Sequence, residues 1–153
     1  MSTKIEHTEN QADAAKIATN LATNLQDREF LLTEKAPVPL GTYSQAVKVG
    51  EMIFLAAQTP VIPGTNDIAE GGFEGQVRQT FSNLKTMAEA CGGSMAEIVQ
   101  VTVFITDISK FAVMNSIMAE YFQAPYPART TVGAESLARG TLVAIDAILV
   151  LRS

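Results

Sequence analysis

Apolar residues recur along this chain with two different spacings, and each change of spacing marks an element. Tyr43–Val49 and Met52–Gln58 have strand-like spacing, and Gly50-Glu51 between them predicts a tight hairpin. Pro60 to Gly72 follows as a loop, with turn signals at Pro63-Gly64 and Asn66-Asp67. From Phe73 to Cys91 the apolar positions fall three and four apart. Val77, Phe81, Leu84, Ala88 and Cys91 form one helical stripe, and Gly92-Gly93 ends it. Ile98–Ile105 returns to strand spacing, with Val101, Val103 and Ile105 on one face and Thr102 and Phe104 on the other. A second helix carries Phe111, Met114, Ile117, Met118, Tyr121 and Phe122, entered through a cap at Asp107 or Ser109 and ended before Pro125. Arg129–Glu135 and Leu142–Leu151 read as the last strands, and the second of these is apolar enough to lie at the centre of a sheet.

The expected order is therefore β-β-α-β-α-β-β. Two helices against this many strands predict an α+β fold, with both helices on one face of a mixed sheet. No further layer is left to cover the other face, so burial against other subunits in a closed ring is expected. The first 33 residues differ from the rest, being rich in Ala, Thr, Asn and Gln and free of Gly and Pro. There Ala14, Ile17, Ala18, Leu21 and Leu25 predict a weakly amphipathic helix. The division read from the sequence is an extension over 1–33 and one domain over 34–153, opened by Pro37 and Pro39.

Composition narrows the chemistry. With 47% hydrophobic and 18% charged residues, the 153-residue chain is that of an ordinary globular protein. Its net charge of -5 and its scattered eleven basic residues argue against nucleic-acid binding, which needs clustered cations. Cys91 is alone and His7 is the only histidine, far from the main domain. That argues against a Ser-His-Asp or Cys-His nucleophile and against a His or Cys metal cage. No apolar run is long enough to span a membrane, and no secretory or mitochondrial leader is read, so the expected location is the cytoplasm.

What remains is Arg, carboxylates, hydroxyls and amides. Arg129 enters an apolar strand directly after a Pro-flanked loop, Pro125-Tyr126-Pro127-Ala128. Its guanidinium can grip a carboxylate through two parallel hydrogen bonds, or it can serve as a structural ion pair. Asp146 interrupts the apolar run Val143–Val150, either as a paired carboxylate or as a general base. Tyr43, Gln58 and Asn115 are polar positions within elements, each either a satisfied core group or part of a site for an amino-acid-sized ligand.

Several of these pieces together resemble the Rid/YjgF family. They are Gly41-Thr42-Tyr43-Ser44-Gln45-Ala46, Gln58-Thr59-Pro60, Val101–Ile105 with Asp107, Asn115, and above all Pro127-Ala128-Arg129-Thr130-Thr131-Val132. The resemblance runs from about Thr33 to the C-terminus and leaves the extension out. It implies a chorismate-mutase-like fold, a homotrimer with clefts between subunits, and hydrolysis of 2-imino or enamine acids to 2-keto acids and ammonia. It also implies no metal and no organic cofactor, with a small 2-imino or 2-keto acid as the partner. By resemblance Arg129 holds the substrate carboxylate, the backbone of Thr131 orients the imine, and Tyr43, Asn115, Ala56, Gln58 and Ala144 line the pocket.

The chain departs from the family pattern in the strand that usually reads acid-apolar-acid. Here it is Ala144-Ile145-Asp146, so alanine stands where the family places its water-activating glutamate. Ala56 stands where serine is frequent and Thr131 where cysteine is frequent. Three functions follow as alternatives: an imine deaminase, a trimer that binds 2-keto acids or a partner protein without turnover, and an endoribonuclease or translation inhibitor. The acidic charge weighs against the last.

Overall fold

The hairpin expected around Gly50 forms the first part of the sheet in the computed structural model, which describes residues 27–152. In chain order the elements are β1 (Arg28–Leu31), β2 (Ala46–Val49), β3 (Met52–Gln58), α1 (Gly72–Ala90), β4 (Ile98–Ile105), α2 (Phe111–Tyr121), β5 (Ala128–Gly133) and β6 (Val143–Val150). Short 3-10 turns lie at Met95–Glu97, Ile108–Lys110 and Ala138–Gly140. Gly50 carries the positive φ that the turn between β2 and β3 requires.

The strands make one six-stranded sheet in the order β1-β2-β3-β6-β4-β5. Every neighbouring pair is antiparallel except β4 and β5, which run parallel, so the sheet is mixed. The apolar β6 lies inside it, paired with β3 on one side and β4 on the other. Both helices cover one face. Val143, Ile145, Ala147 and Leu149 of β6, with Val101, Val103 and Ile105 of β4, pack there against Val77, Phe81, Leu84 and Met87 of α1 and Met114, Ile117 and Met118 of α2. The opposite face carries the alternate residues, with Phe104 of β4 paired with Ala144 of β6, Thr102 with Asp146 and Gln100 with Ile148. Phe54 on that face is 42% exposed. The α+β class and the two-helix layer are those the sequence predicts.

Side chains lock the layers together. Asn83 of α1 is buried and donates through Nδ2 to the carbonyls of Thr59 and Val61, at 2.9 and 2.8 Å. Gln76 accepts from the backbone N–H of Leu142 at 2.8 Å, which ties α1 to the start of β6. Asp107 caps the turn at Ile108–Lys110 by accepting from the Ser109 N–H, and that turn leads directly into α2.

Two features differ from the expected order. The first is β1, which lies ahead of position 33 and pairs with β2. Its four residues are too few to show a period, and Phe30 stays 67% exposed, so backbone pairing holds it rather than a buried stripe. The second is Tyr43, which sits in a bent segment before β2 and not within the strand. Gln45 explains the late start. Its buried side chain accepts from the Thr33 N–H and donates to the carbonyls of Thr33 and Pro37, which draws the chain away from sheet geometry until Ala46. The helix expected around Ala14–Leu25 lies outside the described residues. Among the described residues no helix is long and apolar enough to cross a membrane.

Candidate functional site

β5 is an edge strand, hydrogen-bonded only to β4. Arg129 stands opposite Val101 and Thr131 opposite Val103, so both side chains project to the helix-covered face. Alternation also decides where the backbone of β5 points. Ala134 N–H donates to the Ile105 carbonyl at 2.8 Å, and the β4–β5 register is continuous. The even-numbered residues of β5 therefore face β4, while the N–H and C=O groups of Arg129 and Thr131 face the open edge.

The Arg129 side chain meets α2. Phe111, Asn115 and Met118 occupy positions i, i+4 and i+7 of that helix and so share one face. Nη1 of Arg129 donates to Asn115 Oδ1 at 2.8 Å and lies 3.4 Å from the Met118 sulfur. The guanidinium carbon sits 5.1 Å from the centre of the Phe111 ring, within reach of a cation–π contact. Nε and Nη2 donate to no described residue. Among the described residues no carboxylate pairs with Arg129. The guanidinium is thus held by neutral groups, with a two-nitrogen edge and its full charge left to bind something else.

Thr131 adds a second unfilled group on the same face, one strand repeat (about 6–7 Å) further along β5. Its hydroxyl oxygen is buried with no hydrogen-bond partner among the described residues. A buried polar atom left in that state is uncommon and fits a ligand or water that would complete it.

The other residues singled out in the sequence lie elsewhere in the chain. Gln58 is buried at the end of β3, and its side chain returns to the Ala56 carbonyl at 3.0 Å. Ala56 donates its N–H to the Gln45 carbonyl at 2.9 Å. Tyr43 is 56% exposed just ahead of β2. From β2, which follows Tyr43, to β5 there are four strand steps, roughly 19 Å across the sheet. Ala144 and Asp146 are on the sheet face opposite to the Arg129 side chain, beside Phe104 and Thr102. Within one chain the structure brings together Arg129, Asn115 and Thr131. It does not bring Tyr43, Ala56, Gln58 or Ala144 to them.

In the sequence Phe111 and Met118 stand among the apolar positions of the second helix. Met118 is indeed buried, but Phe111 is 39% exposed and lies against the guanidinium. The signal that marks them is their i, i+4, i+7 spacing around a polar Asn115. A cavity of about 580 Å³ lies nearby, lined by Lys85, Glu89, Ser94, Tyr121, Pro127 and Arg152. Arg129 is not part of its lining, and Lys85 and Glu89 approach each other to 3.9 Å there.

Known proteins share both this sequence and this fold. The profile of the family described as Endoribonuclease L-PSP matches residues 33–151. A RutC family protein of Pyrococcus horikoshii is 42% identical over 79% of this chain and 96% of its own length. The 2-iminobutanoate/2-iminopropanoate deaminase of Dermatophagoides farinae is 37% identical over 83% of this chain and 99% of its own. The crystal structure of RidA from an Antarctic Psychrobacter species superposes with a TM-score of 0.78 at 41% identity, covering 80% of this chain and 99% of that one. Together with the fold, these matches place the chain in the Endoribonuclease L-PSP family, the Rid/YjgF family its motifs resemble.

Proposed function

We propose that this protein hydrolyses 2-imino acids, or their enamine tautomers, to 2-keto acids and ammonia. The observation that carries the reading is the Arg129 guanidinium, oriented by neutral partners and without a carboxylate partner among the described residues. A planar cation with a free two-nitrogen edge suits a substrate carboxylate. The deaminase name of the Dermatophagoides relative supports the choice of reaction.

The chemistry asks little of the protein. The imine carbon is already electrophilic. Water adds to it to give a carbinolamine, a proton moves to nitrogen, and ammonia leaves as the carbonyl forms. Arg129 fixes the carboxylate, and with it the distance from the imine to the edge of β5, where the Thr131 N–H and C=O face outward. Fixing the reactant in this way is the main source of acceleration. No step calls for a metal or an organic cofactor.

The cleft is completed by further copies of the chain in a homotrimer. Tyr43, Ala56 and Ala144 lie too far from Arg129, or on the wrong face of the sheet, to line the same pocket within one chain. A half-exposed apolar face bearing Phe54 is available for that association. The extension to this trimer-forming domain ends ahead of β1 and not at residue 33, because Arg28–Leu31 pairs with β2 in the domain's own sheet.

A second reading is supported by Ala144, which is 7% exposed and has no acid to offer where the family keeps a glutamate. Under that reading the trimer binds 2-keto acids, or a partner protein, without turnover. Ammonia release from 2-iminobutanoate generated in situ separates the two. The deaminase reading expects release by the wild type that falls by about 100-fold in Arg129→Ala, the loss of a bidentate charged pair. A wild type with no release above the uncatalysed rate would leave the binding reading in its place.

A further inference from the structure

Three side chains on one face of α2 touch the Arg129 guanidinium, and they divide it between them. Nη1 carries two hydrogens and has two acceptors, Asn115 Oδ1 at 2.8 Å and the Met118 sulfur at 3.4 Å. A guanidinium offers paired N–H groups along two edges, Nη1–Nη2 and Nε–Nη2. With Nη1 occupied, Nε–Nη2 is the edge left for a carboxylate. The guanidinium carbon lies over the Phe111 ring, 5.1 Å from its centre, a cation–π contact that holds the group against α2.

Phe111 has no evident role in the core. It is 39% exposed and is absent from the buried cluster that joins α1, α2 and the sheet. Its position is nonetheless set, because it opens α2 directly after the turn that Asp107 caps. We propose that Phe111 is a positioning residue, which with Asn115 and Met118 holds the Arg129 guanidinium so that its Nε–Nη2 edge meets the ligand carboxylate. This rests on Arg129 being the carboxylate anchor and goes beyond it in naming the edge used and the group that fixes it.

The test is a titration of 2-oxobutanoate into full-length wild type, Phe111→Leu, Phe111→Tyr and Arg129→Ala by calorimetry, beside steady-state kinetics on 2-iminobutanoate. Phe111→Leu keeps an apolar side chain but removes the ring. It is expected to weaken 2-oxobutanoate binding about three- to tenfold and to raise KM by a similar factor, with kcat little changed. Phe111→Tyr, which keeps the ring, restores both, and the melting temperature stays near that of wild type in either variant. Wild-type affinity in Phe111→Leu, or equal weakening in Phe111→Tyr, overturns the positioning role. A wild type that fails to bind, or an Arg129→Ala variant that binds as tightly as wild type, removes the anchor and this inference together. Loss in Arg129→Ala beside an unchanged Phe111→Leu removes only the inference about Phe111.

Discussion

Arg129 is half-buried between β5 and α2, and every group that touches it is neutral. Among the described residues its charge is therefore uncompensated, and its geometry matters as much as its charge. Arg129→Lys keeps the charge and loses the fork, so it is expected to lower kcat/KM by at least about tenfold while Tm changes little. A lysine variant with wild-type kinetics would mean that point charge alone suffices. At Ala144 the expected change has the opposite sign. Ala144→Glu restores a carboxylate that can activate water, and a positioned general base is worth about 10²–10⁴ in rate. Steady-state ammonia release checks it, and no gain over wild type would place water activation elsewhere. Arg129 and Asn115 were legible in the sequence because each is polar within an apolar pattern. Phe111 was not, since an aromatic residue at helical spacing reads as core until its neighbours are known.

Among the elements, α1 is fastened to the loop after β3 through a single buried amide. Asn83→Ala would leave the Thr59 and Val61 carbonyls without their donor. The expected cost is about 2–4 kcal/mol in chemical denaturation, from two orphaned acceptors, while a cost under about 0.5 kcal/mol would show that water replaces the amide freely. The entry to α2 has a pH signature. The Ser109 hydroxyl and N–H hold the Asp107 carboxyl below the usual carboxylate range. A depressed folded-state pKa contributes stability that is present above the unfolded value, about 3.9, and is lost as pH falls through the folded one. Asp107→Asn keeps a capping oxygen and cannot titrate, so its melting temperature should fall less steeply below about pH 4 than that of wild type. Parallel curves would assign the acid sensitivity to other carboxylates. The two helices, the hairpin and the central β6 could all be read from spacing. β1 could not, since four residues, three of them exposed, carry no period. The loop at Tyr43 escaped because the Gln45 bonds that hold it are long-range.

At the scale of the whole molecule, the strand order separates groups that the sequence motifs would put in one pocket. Tyr43 leads into β2, four strand steps from the β5 that carries Arg129, and Ala144 faces away from the Arg129 side chain. Sequence spacing alone carries no information of this kind, because distance across a sheet depends on strand order. On the proposed function a shared site needs a second copy, for which the half-exposed face around Phe54 is the candidate surface. Phe54→Lys is expected to move sedimentation from three chain masses toward one and to abolish turnover, whereas an active monomer would show that one chain is sufficient.

The central claim is that Arg129 holds the substrate carboxylate in a cleft completed by another copy, and mixed trimers test it most directly. Arg129→Ala and Tyr43→Ala chains, each inactive alone, are refolded together in equal amounts and assayed for ammonia release from 2-iminobutanoate. If each cleft takes Arg129 from one chain and Tyr43 from the next, random assembly leaves about a quarter of the clefts intact, and about a quarter of the wild-type rate should return. A mixture that does no better than its two parents would contradict the shared cleft.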